Sequence, residues 1–283
     1  MEIKIITFQK KHGRRQGSIG SSIIRGDWLA NHWPEAEIWT EGVKSDVMIF
    51  QKVYWSEMMK EYPGIKILDL CDPDWLTGEL ELVKLSKLVD AITCSSQGLY
   101  DYVSKIVDIP VRMIPDRLDL DFFDFKKKHE KKLKKVAWFG YGHNAKSVLP
   151  SVIPSLARLG IGLIIISNEE YNNDGAYEIE IQNKRFDWDT IKYDLTNADV
   201  IINPQPMQIN TRFKYKSDNK TWIAYALGMP VANDLEEMER FMDPDERNKE
   251  AEKNLKFIKE KCDIKQSVIE FTDLIKLCQE RKK

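Results

Sequence analysis

The sequence predicts an α/β protein made of two similar βαβ domains in series. Short apolar runs alternate with segments of helical periodicity along most of the chain, which is typical of parallel sheets with helices on both faces. A lysine-rich run divides the apolar runs into two sets. The chain has 283 residues, and this length suits two domains of about 130–150 residues each.

The predicted elements follow one another in a regular order. The first set of strands covers residues 3–8, 36–39, 47–51, 65–70, 91–95 and 111–114. The second set covers residues 135–140, 162–167, 177–181, 200–203 and 231–232. Helical periodicity lies between them at residues 21–32, 78–88, 96–106, 149–159 and 190–195. Beyond residue 232 the chain is charged and helical, and the apolar face of residues 267–277 has to dock on one of the domains.

The domain boundary is predicted at residues 126–135, KKKHEKKLKK. So many lysines are expected in a linker or an exposed turn rather than in a core. The predicted N-terminal domain is therefore residues 1–125, and the C-terminal domain with its helical tail is residues 126–283. Peripheral contact with a membrane, or with nucleic acid, is the alternative role for this run.

Composition excludes several classes of protein. A formal net charge of −2 argues against broad nonspecific nucleic-acid binding, although a local basic groove is compatible with it. The four cysteines are scattered without a CxxC pair, which favours reduced, buried thiols and a cytoplasmic location. We find no signal-sequence pattern and no apolar run of about 18 residues. The four histidines have no metal-ligand spacing, so no metal site is expected.

Residues 216–232, KSDNKTWIAYALGMPVA, predict a short helix followed at once by a strand. Ser217 or Asp218 could cap the helix start, and Gly228 could take the left-handed position after its end. Free N–H groups at a helix start suit an anion, above all a phosphate or diphosphate. Two lysines flank this start, Lys216 and Lys220. The alternative is a solvated helix start with ordinary surface lysines.

Four segments, in this order and spacing, resemble the GT-B glycosyltransferases, in particular the large retaining family four. They are residues 90–100 (DAITCSSQGLY), 111–119 (VRMIPDRLD), 136–146 (VAWFGYGHNAK), and 198–204 with 224–231 (ADVIINP and AYALGMPV). The family's paired glutamates fall on Tyr215 and Ile223, and its arginine after the domain-opening glycine falls on Tyr141. The chain is therefore similar to a divergent member of that family.

The resemblance implies two Rossmann-like domains that face each other across a cleft. The nucleotide-sugar donor would lie mainly on the C-terminal domain and the acceptor mainly on the N-terminal one, at the carboxyl ends of parallel strands. Such enzymes generally hold the leaving diphosphate with helix dipoles and cationic side chains instead of a metal ion. We expect a uridine- or guanosine-linked sugar as the donor substrate and no separate cofactor.

The donor side is predicted from the resemblance and from the helix start together. Lys146 aligns with the family's lysine near the diphosphate, and the loop before it could bond a phosphate or a sugar hydroxyl. The predicted donor residues are His143, Asn144, Lys146, Lys216, Asn219, Lys220 and Thr221. For His143, Asn144 and Lys146, an ordinary turn or surface role is the alternative.

Residues 13–25, GRRQGSIGSSIIR, follow the first strand and lead into a helix. Glycines there would let the backbone approach a ligand closely, and Ser21 could cap the helix. The predicted site residues of this loop are Gly17, Ser18, Gly20, Ser21 and Arg25, with Arg14, Arg15 and Arg25 as phosphate partners. A flexible basic loop is the alternative.

The acceptor side is predicted at residues 69–75, DLCDPDW, at the carboxyl end of a strand. Asp72 and Asp74 are the candidates for a general base toward an acceptor hydroxyl. They could instead orient the acceptor, or simply form a turn.

Two further features have both a functional and a structural interpretation. The aromatic residues Tyr54, Trp55 and Trp75 form either a stacking platform for a sugar or base, or ordinary packing. Asp116 and Arg117 form either an ion pair that fixes the hinge or a contact with the donor.

The function predicted from the sequence is a metal-independent transfer of a sugar from a nucleoside-diphosphate sugar to an acceptor hydroxyl. The acceptor would be a glycan, a lipid-linked sugar or a modified nucleobase, and modified DNA is among the partners that this allows. A nucleotide-sugar epimerase is a second hypothesis. A non-catalytic protein that binds a nucleotide sugar or nucleic acid is a third.

Overall fold

The computed structural model describes residues 1–11, 19–43, 45–173, 175, 177–204 and 211–283. Contacts divide the chain into two units. The first contains Met1–Asp119, Thr211–Asp218 and Cys262–Lys283, and the second contains Leu120–Asn210 and Asn219–Lys261. Each unit has its own sheet of parallel strands, which confirms the predicted α/β class.

The first unit has a parallel sheet covered on both faces. Its strands are β1 (Ile3–Thr7), β2 (Ala36–Ile38), β3 (Val47–Gln51), β4 (Ile65–Leu70), β5 (Ala91–Cys94) and β6 (Val111–Met113). They lie in the order β2-β1-β3-β4-β5-β6. All residues of β1, β3 and β5 are buried, which is why these strands are almost continuous apolar runs. The predicted strands are confirmed here to within one residue.

Short helices connect these strands. They are α1 (Phe8–Lys11), α2 (Gly20–Ser22), α3 (Trp28–Asn31), α4 (Ser56–Glu61), α5 (Leu82–Ser86) and α6 (Gln97–Val103). A π-helical turn, Ile23–Asp27, joins α2 to α3, and a 3₁₀ turn, Asp74–Thr77, follows β4. The side chain of Ser96 caps α6 by accepting the N–H of Leu99 at 3.3 Å.

The second unit has a parallel sheet of the same kind. Its strands are β7 (Lys135–Phe139), β8 (Gly162–Ser167), β9 (Ile181–Arg185), β10 (Val200–Ile202) and β11 (Val231–Ala232), in the order β11-β10-β7-β8-β9. The predicted strand at residues 177–181 is wrong, because β9 begins at Ile181 and contains the polar run QNKR. An edge strand needs little apolar surface, so a search for apolar runs does not find it.

The helices of the second unit include the one predicted after residue 216. They are α7 (Gly142–Val148), α8 (Ile153–Leu159), α9 (Ile191–Thr196), α10 (Asn219–Ala226), α11 (Leu235–Arg240) and α12 (Pro244–Lys261). After α10, Gly228 has a φ of 68°, a left-handed conformation that glycine adopts without a steric penalty. The predicted helix, glycine and strand are therefore confirmed.

The lysine-rich run packs against the second unit more closely than an exposed turn would. Lys126 donates to the carbonyl of Ala226 at 2.5 Å, and Lys127 donates to that of Thr196 at 2.8 Å. These carbonyls close α10 and α9, where lysines complement the helix dipole. The side chain of His129 is buried, although the neighbouring lysines are exposed.

The C-terminal helix α13 (Ile264–Arg281) belongs by its contacts to the first unit. Leu118 donates its N–H to the carbonyl of Cys262 at 2.8 Å and accepts the N–H of Ile264 at 2.9 Å. The guanidinium of Arg117 binds both carboxylate oxygens of Glu270, at 2.6 and 2.7 Å. These contacts assign residues 262–283 to the first unit. The sequence-based division instead keeps them with the C-terminal domain. Arg117 is also paired differently from the predicted Asp116–Arg117 ion pair.

Residues 211–218 form a second segment that packs on the first unit. Gly98 lies under this segment, because a Cβ at that position would come within 1.9 Å of the Lys214 carbonyl oxygen. The hydroxyl of Ser96 donates to the carbonyl of Tyr215 at 2.8 Å. The Tyr215 ring is 4% exposed and packs edge-on against Trp75. The position that the family resemblance assigns to a glutamate is thus part of an apolar core.

The cysteines and the helix lengths bear on two expectations from composition. Cys71, Cys94, Cys262 and Cys278 are all buried and unbridged, as predicted. Within the residues that the structure describes, no helix has the length and apolar character needed to cross a membrane.

We predict that Gly98→Ala destabilises the first unit by about 1–3 kcal/mol, because the new methyl group collides with the 211–218 segment. Helix propensity alone would make the alanine variant more stable by about 1 kcal/mol at this helical position. A loss of stability would therefore identify the steric collision as the cause. Urea unfolding measures it. Gly162→Ala is the control, since its Cβ would meet nothing closer than 3.4 Å. An unchanged or higher stability of Gly98→Ala would contradict the close packing.

Candidate functional site

The first unit gathers polar side chains where β3 and β4 end. We call five of them the β3–β4 cluster; they are Lys52, Tyr54, Asp72, Asp74 and Lys216. The Arg212 guanidinium also lies 4.0 Å from Asp74. The sequence predicted Asp72, Asp74 and Lys216, gave Tyr54 only as an aromatic platform and missed Lys52. Lys52 directly follows β3, and such positions at the carboxyl edge of a parallel sheet commonly hold ligands.

The backbone at Lys52 is strained. Its φ of 55° is the one left-handed value among the non-glycine residues that the structure describes. A side chain in this conformation costs roughly 1–2 kcal/mol. The strained turn directs the Lys52 ammonium to Asp72 at 2.7 Å and to Asp74 at 3.5 Å. Strain that persists at a charged cluster is typical of functional sites.

The two aspartates of the cluster differ in their surroundings. Asp72 accepts from Lys52 at 2.7 Å and from Lys216 at 2.8 Å, and its side chain is one-fifth exposed. Asp74 is 2% exposed and accepts the phenol of Tyr54 at 2.7 Å. Burial opposes the ionisation of Asp72, but Lys216 and Lys52 outweigh it and lower the pKa of that carboxyl. Burial dominates at Asp74 and raises the pKa of its carboxyl, despite Lys52 and Tyr54.

These surroundings determine what each carboxylate can do chemically. A carboxylate with a lowered pKa is a weak base, so Asp72 is suited to fix two ammonium groups and to orient a hydroxyl. Asp74 is the stronger base of the two, but its oxygen is already bonded to Tyr54 inside the unit. The arrangement therefore favours orientation over proton abstraction at Asp72.

Arg25 was predicted as a phosphate partner, and the structure gives it a different role. Its side chain is buried and donates to both oxygens of Asp69, at 2.8 and 2.5 Å. It also donates to Asp116 at 2.9 Å and to the carbonyl of Ile114 at 2.8 Å. The hydroxyl of Ser217 donates to the second oxygen of Asp116 at 2.6 Å. Arg25 thus ties strand ends together inside the unit instead of facing a ligand.

The rest of the N-terminal loop contributes little to a described site. Gly17 and Ser18, like Arg14 and Arg15, lie outside the residues that the structure describes. Gly20 and Ser21 are half-buried in α2, whose N-cap is Ile19, so the predicted cap by Ser21 is wrong. Its neighbour Ser22 is buried instead and bonds the side chain of Gln51.

The predicted stacking platform consists of packed rings. Trp75 stacks face to face on Tyr102, with ring centroids 4.6 Å apart, and meets Tyr215 edge-on. Trp55 meets Trp39 edge-on at 6.1 Å. The packing alternative for these aromatic residues therefore agrees with the structure.

The second unit has a turn of three residues after β7, Gly140, Tyr141 and Gly142, which we call the glycine turn. A Cβ on Gly140 would lie 2.5 Å from the Lys220 ammonium, so that ammonium rests against the turn. The same ammonium lies 5.0 Å from the centre of the Trp138 ring. The N–H of Gly142 donates to the side chain of Asn168 at 2.9 Å. Lys220 is therefore a predicted donor residue that the fold brings to this strand end from a distant part of the chain.

The remaining donor-side predictions are spread over two helices. Asn219 and Thr221 are half-buried at the start of α10, beside Lys220. On α7, His143 and Lys146 are exposed, Asn144 is half-buried, and the His143 ring lies against Tyr141 at 6.0 Å. Lys216, predicted to act with Lys220, is instead ion-paired to Asp72 in the first unit.

Sequence reasoning also missed a spacing in this turn. Gly140, Gly142 and Ala145 have the G-x-G-x-x-A spacing, directly after a strand and at the opening of a helix. In nucleotide-binding folds these positions make the turn, let the backbone approach a diphosphate and let the helix pack on the strand. Ala145 is 1% exposed, in agreement with the last of these roles. Counting spacings at every strand end would have found it.

Comparisons with known proteins identify the fold. No protein-family model matches the chain, and the search of curated proteins finds no match. An alpha-glucosyltransferase solved with UDP and a 13-mer DNA has a TM-score of 0.66 at 12% identity, over 98% of this chain and 99% of that one. HepE of Anabaena, solved with UDP and glucose, has a TM-score of 0.64 at 10% identity, over 96% and 99%.

A longer protein has the same architecture. TarM of S. aureus, solved with UDP, has a TM-score of 0.61 at 10% identity, over 87% of this chain, and the chain spans 56% of the length of TarM. These structural neighbours are GT-B glycosyltransferases. At such low identity they show the fold, and the predicted pair of Rossmann-like domains of the GT-B type is confirmed.

We predict that Arg25→Met lowers the free energy of unfolding of the first unit by about 3–5 kcal/mol, because two buried carboxylates lose their counter-charge. Urea denaturation of the full chain measures the loss. Arg112→Met is the matched control at an exposed arginine and should stay within about 0.5 kcal/mol. A loss below 1 kcal/mol for Arg25→Met would mean that the buried network is not needed.

We predict that Asp72→Asn destabilises the first unit by about 1–3 kcal/mol near pH 7, because two ammonium groups lose a charged acceptor. The folded-state pKa of Asp72 is below its ordinary value of 3.8. The charge of Asp72 therefore contributes fully to the free energy of unfolding above pH 3.8. This contribution disappears as the pH falls through the folded-state pKa. The wild-type and variant unfolding free energies should begin to converge only as the pH falls below 3.8, and they should meet once it is below the folded-state pKa.

Urea unfolding at several pH values tests this dependence. Asp108→Asn, at an exposed aspartate, is the control. A difference between wild type and Asp72→Asn that does not shrink at any pH below 3.8 would rule out the charge pairing as its cause.

Proposed function

We propose that this protein is a glycosyltransferase that moves a sugar from a nucleoside-diphosphate sugar to an acceptor hydroxyl. The observation that carries the proposal is the Lys220 ammonium against the glycine turn, at the carboxyl end of β7 in a GT-B fold. A cation beside a backbone turn that contains two glycines suits a diphosphate. Two structures that are similar over nearly the whole chain contain UDP. This supports a nucleoside-diphosphate sugar as the donor.

The donor side in this proposal lies in the second unit. Lys220 compensates the negative charge of the leaving diphosphate, and Lys146 on α7 adds a second positive charge. Asn219 and Thr221 at the start of α10, with His143 and Asn144, supply neutral hydrogen bonds. We propose that this set acts without a metal ion and that the donor nucleotide is uridine or guanosine diphosphate. The four sequence segments that resemble retaining family four support a relationship of this protein to that family.

The acceptor side in this proposal is the β3–β4 cluster. Asp72 orients the acceptor hydroxyl and holds Lys52 and Lys216, while the departing phosphate or Asp74 takes the proton. Asp74 can act only if its bond to Tyr54 rearranges. The similar structures contain different molecules besides UDP, a 13-mer DNA in one and alpha-GlcNAc-glycerol in another. A glycan, a lipid-linked sugar and a modified nucleobase, for example in DNA, therefore all stay within the proposal.

A specific observation favours a second candidate, a protein that binds nucleotide sugars without transferring them. Tyr215 and Ile223, where the resemblance expects glutamates, are 4% and 3% exposed and lie in apolar cores. The site then has no carboxylate from these positions. Release of nucleoside diphosphate in the presence of acceptor distinguishes the two, since a binding protein gives none.

Two predictions about cellular location stay open to experiment. The buried, unbridged cysteines support a reducing compartment such as the cytoplasm. The exposed lysines of residues 126–135 support peripheral contact with an anionic membrane.

We predict that UDP or GDP at about 100 times its dissociation constant stabilises the protein by about 2.7 kcal/mol. This raises the melting temperature by several degrees, and Lys220→Ala removes most of the rise because the diphosphate loses its cation. Thermal unfolding with a panel of nucleoside diphosphates and their sugars measures the effect. Lys253→Ala, at a surface lysine of α12, is the control. If no member of the panel shifts the wild-type transition, the donor site is wrongly assigned.

A further inference from the structure

Glu169 lies beside the glycine turn and has no role in the site described so far. It follows β8, the strand next to β7, so both features lie at the same edge of the second sheet. A Cβ on Gly142 would come within 2.6 Å of the Glu169 Cβ and 3.0 Å of its Oε2. The carboxylate is exposed, and this proximity places it next to the second glycine of the turn.

The local structure holds the backbone of Glu169 in place, and Asn168 Nδ2 lies 3.4 Å from the carboxylate oxygen Oε1. Ser167 donates its hydroxyl to the carbonyl of Glu169, and the N–H of Glu169 donates back to the Ser167 hydroxyl at 3.2 Å. The neighbouring Asn168 bonds the N–H of Gly142, which fastens the end of β8 to the glycine turn. The glycine turn and the segment that carries Glu169 are therefore connected by hydrogen bonds.

The two charged groups lie at the two ends of the glycine turn. Lys220 approaches Gly140, and Glu169 approaches Gly142. Two residues span at most about 7 Å of extended chain, so a ligand on the turn can meet a cation at one end and an anion at the other. A nucleoside diphosphate has this polarity, because its phosphates are negative and its ribose offers two neighbouring hydroxyl donors.

We propose that Glu169 accepts hydrogen bonds from the ribose hydroxyls of the nucleotide and makes the site selective for ribonucleotides. A carboxylate that follows the second strand of a βαβ unit, beside a glycine-rich turn after the first strand, is positioned to accept from the ribose 2′-hydroxyl. The proposal rests on the proposed function, since it assumes that a nucleoside diphosphate occupies the glycine turn. It adds the residue that distinguishes ribose from deoxyribose.

The test compares UDP and GDP with 2′-deoxy-UDP and 2′-deoxy-GDP in equilibrium binding to the full chain. For the better-bound base, the wild type should prefer the ribonucleotide by about 10- to 100-fold, as expected for hydrogen bonds to a charged group. Glu169→Ala should bind both forms about equally, because it loses affinity only for the ribonucleotide. Glu169→Gln, which keeps the shape without the charge, should have an intermediate preference.

The control variant is Glu170→Ala, which removes the neighbouring exposed carboxylate and should keep the full preference. If the wild type binds UDP or GDP but does not distinguish them from the deoxy forms, the role of Glu169 is disproved and the proposed function stands. The same holds if Glu169→Ala keeps the preference. If the wild type binds none of the four nucleotides, both proposals fail together.

Discussion

The buried charge of Arg25 is the constraint on which the structure of the first unit depends. A guanidinium inside a protein is tolerated only when anions and hydrogen-bond acceptors surround it. Asp69 at the end of β4 and Asp116 beyond β6 provide both, and Thr93 of β5 donates to Asp69 at 2.5 Å. Because Ser217 bonds the same Asp116, one charged network also holds the 211–218 segment.

This network explains why nearby aspartates on one strand end have different roles. Asp69 is fully buried and committed to Arg25, whereas Asp72 is partly exposed and bound to flexible lysine side chains. A bidentate guanidinium pair fixes geometry, while an ammonium group leaves more rotational freedom. Only the second kind of carboxylate can exchange a partner for an acceptor hydroxyl without exposing a buried charge.

The sequence predicted the sheets well because their physical signal is local. Strands such as β3 and β4 are buried on both faces, so the apolar run itself marks the strand. The polar edge strand β9 lacks that signal and was misplaced. The docking of α13 and of residues 211–218 also could not be predicted, since an apolar face indicates burial but not the surface that covers it.

The candidate site was harder to predict, because residue type does not reveal burial. Arg25 and Lys220 both looked like phosphate ligands, yet the first is enclosed by carboxylates and the second rests on a glycine turn. Lys52 was missed because its left-handed backbone has no signature in the sequence. The spacing of the glycine turn was visible in the sequence but gains meaning only from the strand before it.

The two lysines that flank α10 show how the fold separates residues that the sequence treats alike. Both precede or open the same helix, and both could neutralise a phosphate. In the structure the charge of Lys216 is balanced by Asp72, whereas the ammonium of Lys220 lies over the neutral ring of Trp138. An aromatic face attracts an ammonium group through its electron-rich centre. The fold therefore gives the two lysines different surroundings, a carboxylate for Lys216 and an aromatic ring beside the glycine turn for Lys220.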